Sequence, residues 1–364
     1  MNKPKNIKNS GSTKTTNPFY HYQEIWKTEN YKEWEKNQSD EYKEYRRKWV
    51  ECPKKQSPPP FPLSINIEVT TSCNAGKNYC TMCPKHFLNL KNEFMSLGNV
   101  KKILDDASAN GCYAVNLNGA GESLVHPDII EIVTYARKRG FIDIMFHTNA
   151  TLLTEEISKK LIEAGLTKLI VSVDAPDEES YKKIRPAFDF NKVVNNIKNF
   201  VRIRNGMGLR QPIVRMTMVV LTLNKDKIEE TIKFWKDYVD FISINDCMYF
   251  DKYKAFEFDK EKITKEAREK GMIYVCAPLY QQLSVTIHNK VIACSTIYAK
   301  NYRILGDFNK NSLKEIWEGP VLKEIREMHE KGRCFDVMPC KMCDLPQIEL
   351  LKKMRSEKQE VLLK

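Results

Sequence analysis

Between residues 64 and 244 the chain alternates short β-branched runs with stretches of helical spacing, and few folds accept that rhythm. The apolar runs cover 64–70, 113–117, 142–147, 168–173, 213–221 and 241–244; helical periodicity covers about 99–109, 127–139, 154–164, 190–204 and 225–238. Thr154 reads as an N-cap with Glu155 and Glu156 in the first turn, and Gly165 suits the position just past that helix. Strand, helix, strand at this spacing means parallel βαβ units. The pattern predicts an α/β fold, either an open, partial (β/α)6 TIM-like barrel or a doubly wound sheet. In both, the active site sits at the C-terminal ends of the strands.

The flanks read differently. Residues 1–18 are Lys, Asn, Ser and Thr with little to bury, which predicts a disordered tail. The segment 19–62 sets aromatics among charges (Trp26, Tyr31, Trp34, Tyr42, Tyr45, Trp49), predicting short amphipathic helices laid on a larger body and closed by the linker QSPPPFP. The barrel core is expected over 63–255 and a smaller α+β module over 256–350: a charged stretch, a hairpin around His288-Asn289-Lys290, a helix interrupted near Gly319-Pro320 and a Cys-rich loop. A charged tail, 351–364, follows.

Lys and Arg number 59 against 47 Asp and Glu, a formal charge of +12 over 364 residues. That excess suits nucleic acid, an anionic membrane face or an anionic small molecule. Aromatics among Lys and Arg can stack on bases, but acidic residues alternate with the basic ones here, which argues against nucleic acid. No apolar run approaches the roughly 20 residues of a bilayer crossing, and the N-terminus lacks the apolar core of a signal peptide. A soluble, cytoplasmic protein is expected. In that compartment the eleven cysteines, an odd number, are read as thiols, and the clustered ones as metal ligands.

Cys73, Cys80 and Cys83 stand in EVTTSCNAGKNYCTMCP, directly after the first predicted strand. Three thiolates on one loop can hold a four-iron cluster and leave one iron open. Zinc, with a fourth ligand such as His86, or three unrelated thiols are the alternatives. The segment resembles the radical S-adenosylmethionine (SAM) superfamily, and the resemblance runs from about residue 49 to 344. The family signature is C-x3-C-x2-C; Asn74, Met82, Pro84 and the C-x2-C half match, whereas the first gap here is six residues. The stretch AGKNY is read as looping out between fixed thiolates.

The resemblance implies SAM and a [4Fe-4S] cluster, with SAM contacts from the glycine-rich turn Gly119, Gly121 and Glu122, from Thr148 and Asn149, from Ser172 and Asp174, and from Arg185 facing the SAM carboxylate. The glycines would let the backbone approach the cofactor, and Glu122 would accept from an ammonium group. Cys276 and Cys294 bracket the hairpin, and Cys340 and Cys343 form a later C-x2-C. Together they resemble the C-terminal auxiliary-cluster module of the superfamily, in the shorter Twitch form rather than the seven-cysteine SPASM form, with a second [4Fe-4S] cluster. Zinc also satisfies four cysteines. Cys334 is supernumerary, and Cys52 and Cys112 look incidental.

Reductive SAM cleavage would then give a 5′-deoxyadenosyl radical that takes hydrogen from substrate, the electron coming from a flavodoxin or ferredoxin. The auxiliary cluster would make the reaction an oxidation; Cys247, in INDCMYFD, would make it an epimerisation by returning a hydrogen atom, or it simply packs as a small hydrophobe. A sugar, aminocyclitol or nucleotide-linked metabolite, in keeping with an anionic substrate, is the leading expectation. A peptide or protein maturase, and a zinc-stabilised basic binding protein without catalysis, are the alternatives.

Overall fold

The computed structural model describes residues 22–86, 88–247, 259–294 and 302–362. The expected 1–18 tail lies outside the described residues. Ten strands form one sheet: β1 (Tyr22–Lys27), β2 (Ser64–Ile67), β3 (Ala114–Asn116), β4 (Asp143–Thr148), β5 (Lys168–Ser172), β6 (Ile213–Val220), β7 (Phe241–Asp246), β8 (Gln282–Val285), β9 (Lys290–Ile292) and β10 (Ile304–Asp307). Their order is β1-β7-β6-β5-β4-β3-β2-β8-β9-β10. From β2 to β7 every neighbouring pair is parallel. Helices Leu97–Ala109, Ile129–Lys138, Glu155–Glu163, Phe190–Gly206 and Ile228–Trp235 return the chain between them. This is the open, partial barrel of six βα units, and the sheet continues past both of its ends. Thr154 caps its helix as expected, accepting from the Ile157 amide.

Residues 22–27 are a strand, not the expected start of a helix. β1 pairs antiparallel with β7, whose outer edge would otherwise present unpaired backbone groups. The helices Glu29–Lys36 and Asp40–Lys54 follow. Tyr31, Trp34, Tyr42 and Tyr45 are buried with Leu63, Ala114, Ile213 and Phe241, which lie at the N-terminal ends of barrel strands. The aromatics are thus packing anchors that close the bottom of the barrel. Below them Lys168 pairs with the buried Asp143 and donates to the Tyr42 hydroxyl at 2.9 Å. The Pro-rich linker is held down: Trp317 Nε1 donates to the Pro59 carbonyl at 2.8 Å, and Phe61 is buried.

The hairpin around residue 289 forms, with Asn289 at φ +60°. Instead of founding a separate sheet, β8 lies parallel to β2 and extends the barrel sheet. The final helix, Leu345–Leu362, runs through the expected boundary at 350, because Leu350 and Met354 are buried against Ile263, Tyr274 and Phe335.

Candidate active site

Alternate residues of the barrel strands have opposite tasks. Val214, Met216 and Met218 of β6 share one apolar cluster with helix residues such as Val100, Ile103 and Ile132. Arg215, Thr217 and their neighbours on the other face turn inward and hydrogen-bond across strands. Arg215 Nε donates to Ser243 Oγ at 2.9 Å, Asn245 Nδ2 to Thr217 Oγ1 at 2.8 Å and Asn66 Nδ2 to Ser284 Oγ at 3.1 Å. His147, Ile170 and Arg215 share a register row. Burial, with the Arg215 charge behind it, pulls His147 down to about 3, so the ring is neutral. Barrel interiors of this kind are commonly packed with Val, Ile and Leu. Here polar side chains flank Ile170 in that row.

The cysteine loop leaves the C-terminal end of β2. Gly76, Lys77 and Asn78 stand in solvent, so the inserted residues loop out. On their N-terminal side the loop is tied down through Asn74: Asn149 Nδ2 donates to Asn74 Oδ1 at 2.8 Å and Asn74 Nδ2 to Thr151 Oγ1 at 2.7 Å. The glycine-rich turn lies against the same loop. The Gly121 amide donates to the Thr70 carbonyl and the Glu122 amide to the Ser72 carbonyl. A Cβ on Gly121 would come within 2.2 Å of the Ser72 carbonyl oxygen, and one on Gly119 within 2.5 Å of Glu68 Cγ. Close passage of two protein segments therefore already demands these glycines, a reason the sequence reading had placed in the cofactor.

Glu122 is buried and accepts from three protein donors: Thr148 Oγ1 at 2.6 Å, the Asn149 amide at 2.7 Å and the Leu124 amide at 3.2 Å. Burial raises its carboxyl while these bonds pull the other way. Glu122, Thr148 and Asn149 form one network behind the cysteine loop. Ser172 lies at the end of β5, in register with Thr217. Asp174 is fully buried at φ +68° and accepts from Arg185 Nε at 2.8 Å and Nη2 at 2.6 Å, and from the Val219 amide at 2.7 Å. Arg185 is buried in turn and aims Nη1 at Cys80 Sγ, 3.5 Å away. Its fork is directed at Asp174 and a cysteine sulfur. Cys247 is buried with Ile184 and Leu221, packed against Met82 of the cysteine loop.

The second set of thiols is assembled from three segments. Cys276, Cys294, Cys340 and Cys343 are close enough to raise one another. Tyr274 shares a side-chain hydrogen bond with Cys276, and His329 Nε2 lies 3.3 Å from Cys340 Sγ. His329 is fully buried, and burial lowers its ring to about 4. Cys334 is buried among Ile263, Ala267 and Phe335. Cys112 is buried and donates to the Ala114 carbonyl at 3.4 Å, in keeping with a packing role.

Among the described residues no three His, Cys, Asp or Glu side chains converge as a site for a single metal ion. Burial, and then the neighbouring thiols, push Cys83 up to about 11 and Cys343 up to about 12. Such thiols become thiolates only when positive charge arrives among them, which a multi-iron centre provides. The donor set fits that group. Three thiols sit on one loop, a guanidinium faces one sulfur, and the buried Ser72 hydroxyl beside Cys73 has no hydrogen-bond partner among the described residues. Sequence reasoning missed Glu68, which accepts from the Ala120 and Ile287 amides and so joins the glycine turn to the hairpin. A carboxylate directly after a barrel strand was the available signal. It also missed Tyr274, His329 and the inward-facing polar row.

The radical SAM superfamily model matches residues 67–234, and an iron-sulfur cluster-binding domain model, SPASM, matches residues 276–344. The chain is 26% identical over 269 residues to a tungsten-containing aldehyde ferredoxin oxidoreductase cofactor-modifying protein of Pyrococcus furiosus, spanning 73% of this chain and 71% of that one. It is 31% identical over 176 residues to a GTP 3′,8-cyclase of Clostridium botulinum, covering 48% of this chain and only 53% of the cyclase. Among solved structures, Streptococcus suis SuiB bound to S-adenosylmethionine superposes with TM-score 0.57 at 18% identity, covering 85% of this chain and 78% of SuiB. Native anSMEcpe with bound AdoMet gives 0.55 at 20% identity, covering 78% and 88%. Those two share its fold. Two family models in the order of the two cysteine sets, on a partial barrel, lead to one conclusion: the chain belongs to the radical SAM superfamily and carries a C-terminal SPASM domain.

Proposed function

We propose that this radical SAM enzyme abstracts hydrogen from a small polar metabolite, a sugar, an aminocyclitol or a nucleotide-linked compound, with net oxidation or epimerisation. The observation that carries the reading is the polar interior of the barrel, where Asn66, His147, Arg215, Thr217, Ser243 and Asn245 stand where apolar packing is usual. Arg215 supplies positive charge there, which suits an anionic group. The matched region of GTP 3′,8-cyclases adds support for a nucleotide-linked guest.

In this reading Cys73, Cys80 and Cys83 hold the first [4Fe-4S] cluster, and Cys276, Cys294, Cys340 and Cys343 hold the second. Bound there, SAM and the first cluster would supply the radical chemistry of hydrogen abstraction, with a flavodoxin or ferredoxin as the electron donor. The chain's own work is placement. Thr148, Asn149 and Leu124 fix the Glu122 carboxylate at the edge of the cysteine loop. Gly119 and Gly121 allow the turn to lie flat against that loop, and Ser172 and Asp174 end the strand that faces it. The helices 29–36 and 40–54 seal the far end of the barrel, which limits access to the cysteine side. Cys247 lies in a buried cluster with Ile184 and Leu221 against which Met82 of the cysteine loop packs, and in the epimerisation variant of this reading its thiol is the hydrogen-atom donor.

The test is an anaerobic assay of reconstituted enzyme with dithionite, SAM and separate pools of nucleotides, nucleotide sugars, aminocyclitols and peptides, reading 5′-deoxyadenosine. Stimulation by a small polar compound, with deuterium passing from labelled substrate into 5′-deoxyadenosine, is expected. Stimulation by peptides alone would replace the reading with a maturase. Cys247→Ala then separates the two outcomes: it abolishes epimerisation and leaves oxidation.

A further inference from the structure

Arg185 has one of the more constrained side chains at the first cysteine site, and its constraints do not point to SAM. Its Nε and Nη2 both go to one oxygen of Asp174, while the other oxygen of Asp174 is taken by the Val219 amide. The Asp174 carbonyl accepts from Asn224 Nδ2 at 2.9 Å, and its φ of +68° is a conformation few residues other than Gly, Asn and Asp adopt. The carboxylate is thus immobilised from several sides, and it immobilises the guanidinium. What remains of the fork is directed at Cys80: Nη1 lies 3.5 Å from Sγ.

A second set of contacts makes the same connection independently. Thr81, the residue after Cys80, donates its amide to the Ile184 carbonyl at 2.8 Å and its hydroxyl to the Lys183 carbonyl at 2.8 Å. The cysteine loop is therefore docked on the last turn of the helix Glu178–Ile184, and Arg185 is the residue that ends that helix. The helix end is a template against which the Cys80 sulfur is set.

We propose that Arg185 is a positioning residue for Cys80 and raises the reduction potential of the cluster held there, with Asp174 setting how much of its charge the cluster senses. The proposal rests on the reading that Cys73, Cys80 and Cys83 are the cluster ligands. A guanidinium can only donate, and a coordinated thiolate can only accept, so the Nη1 contact becomes a charge-assisted N–H to sulfur bond when the cluster is bound. Hydrogen bonds to the sulfurs and the net charge around a cluster are among the quantities that set its potential. A donor and a positive charge both favour the reduced, more negative cluster. Asp174 opposes part of that charge, so the pair acts as a bias whose two members pull in opposite directions.

The test is a reductive titration of the reconstituted holoenzyme followed by EPR, the first cluster being identified by the change of its signal on adding SAM. Arg185→Gln is expected to make its midpoint more negative by ~60 mV, about a tenfold change in a one-electron equilibrium, and Arg185→Lys to restore part of the shift. Asp174→Asn is expected to move the midpoint the other way. Loss of the first cluster's iron in Arg185→Gln but not in Arg185→Lys would also support the assignment. An unchanged midpoint in Arg185→Gln, with weakened SAM binding, would overturn it and return Arg185 to the SAM carboxylate. If Cys73→Ala/Cys80→Ala/Cys83→Ala loses no iron, the ligand reading itself is what has failed.

Discussion

The two cysteine sites of this protein are built in opposite ways. Cys73, Cys80 and Cys83 lie within eleven residues on one loop, set against a polar network of Asn74, Glu122, Thr148 and Asn149. Cys276, Cys294, Cys340 and Cys343 come from three separate segments, and the apolar cluster of Ile263, Tyr274, Phe335, Leu350 and Met354 packs beside them. Each site has a buried nitrogen against one sulfur, a guanidinium N–H at Cys80 and an imidazole nitrogen at Cys340. The difference teaches where each metal centre's binding energy goes. At the first site barrel residues hydrogen-bond the loop directly, so under the proposed ligand assignment the cluster would be a tool carried by the fold. At the second a cluster held as proposed would staple distant segments together and so contribute to the fold's own stability.

The largest effect should separate these roles outright. Cys73→Ala/Cys80→Ala/Cys83→Ala is expected to abolish SAM cleavage and to lower iron from about eight to about four per chain, with the thermal transition nearly unmoved. A large drop in Tm would break the comparison. Cys340→Ala/Cys343→Ala should do the reverse structurally. Hydrogen exchange is expected to accelerate over 260–294 and 334–354 while 64–246 keeps its protection. Unchanged protection would mean that the apolar cluster holds the module without the metal.

A third variant probes how tightly the first site is built. Gly121→Ala brings a methyl against backbone that cannot yield, at 2.2 Å from the Ser72 oxygen, and should cost about 3 kcal/mol in urea unfolding. Gly76→Ala, on the solvent side of the same loop with φ +61° and open space around it, should cost about 1 kcal/mol. Equal costs would mean that the turn is not pressed on the loop.

The narrowest effect, confined to an acid pH window, concerns the barrel interior. His147 titrates near 3 when folded, against an ordinary 6.5. Between those values the unfolded chain binds more protons, so stability falls as pH falls, by at most ~1.4 kcal/mol per pH unit. His147→Gln should flatten the acid limb of the stability profile across that window and leave it unchanged above it. A slope identical to wild type would show that the ring is not held neutral.

Much of this was legible before any coordinates. The six core strands announced themselves because each is a local run of β-branched residues bounded by turn signals, and the cysteine loop followed the first of them. What escaped was long-range. Nothing in residues 22–27 says that the partner of β1 is β7, more than two hundred positions away. The hairpin near 289 was visible as a hairpin, but its attachment to β2 was not. The glycines at 119 and 121 were recognised, but that they press against 68–72 could not be read from spacing. Arg185 was singled out, yet its partners Asp174 and Cys80 were beyond the reach of spacing.

By itself the sequence determined the βα rhythm, the two cysteine sets and the order in which they occur, because periodicity and ligand spacing are properties of neighbouring residues. Only the tertiary structure decided that the N-terminal aromatics close the bottom of the barrel, that β8 extends its sheet and that a guanidinium ends up against Cys80. Those outcomes depend on which surfaces meet once the chain has folded. Hydrogen bonds and charges act over a few ångströms in space, without regard to the number of residues between them.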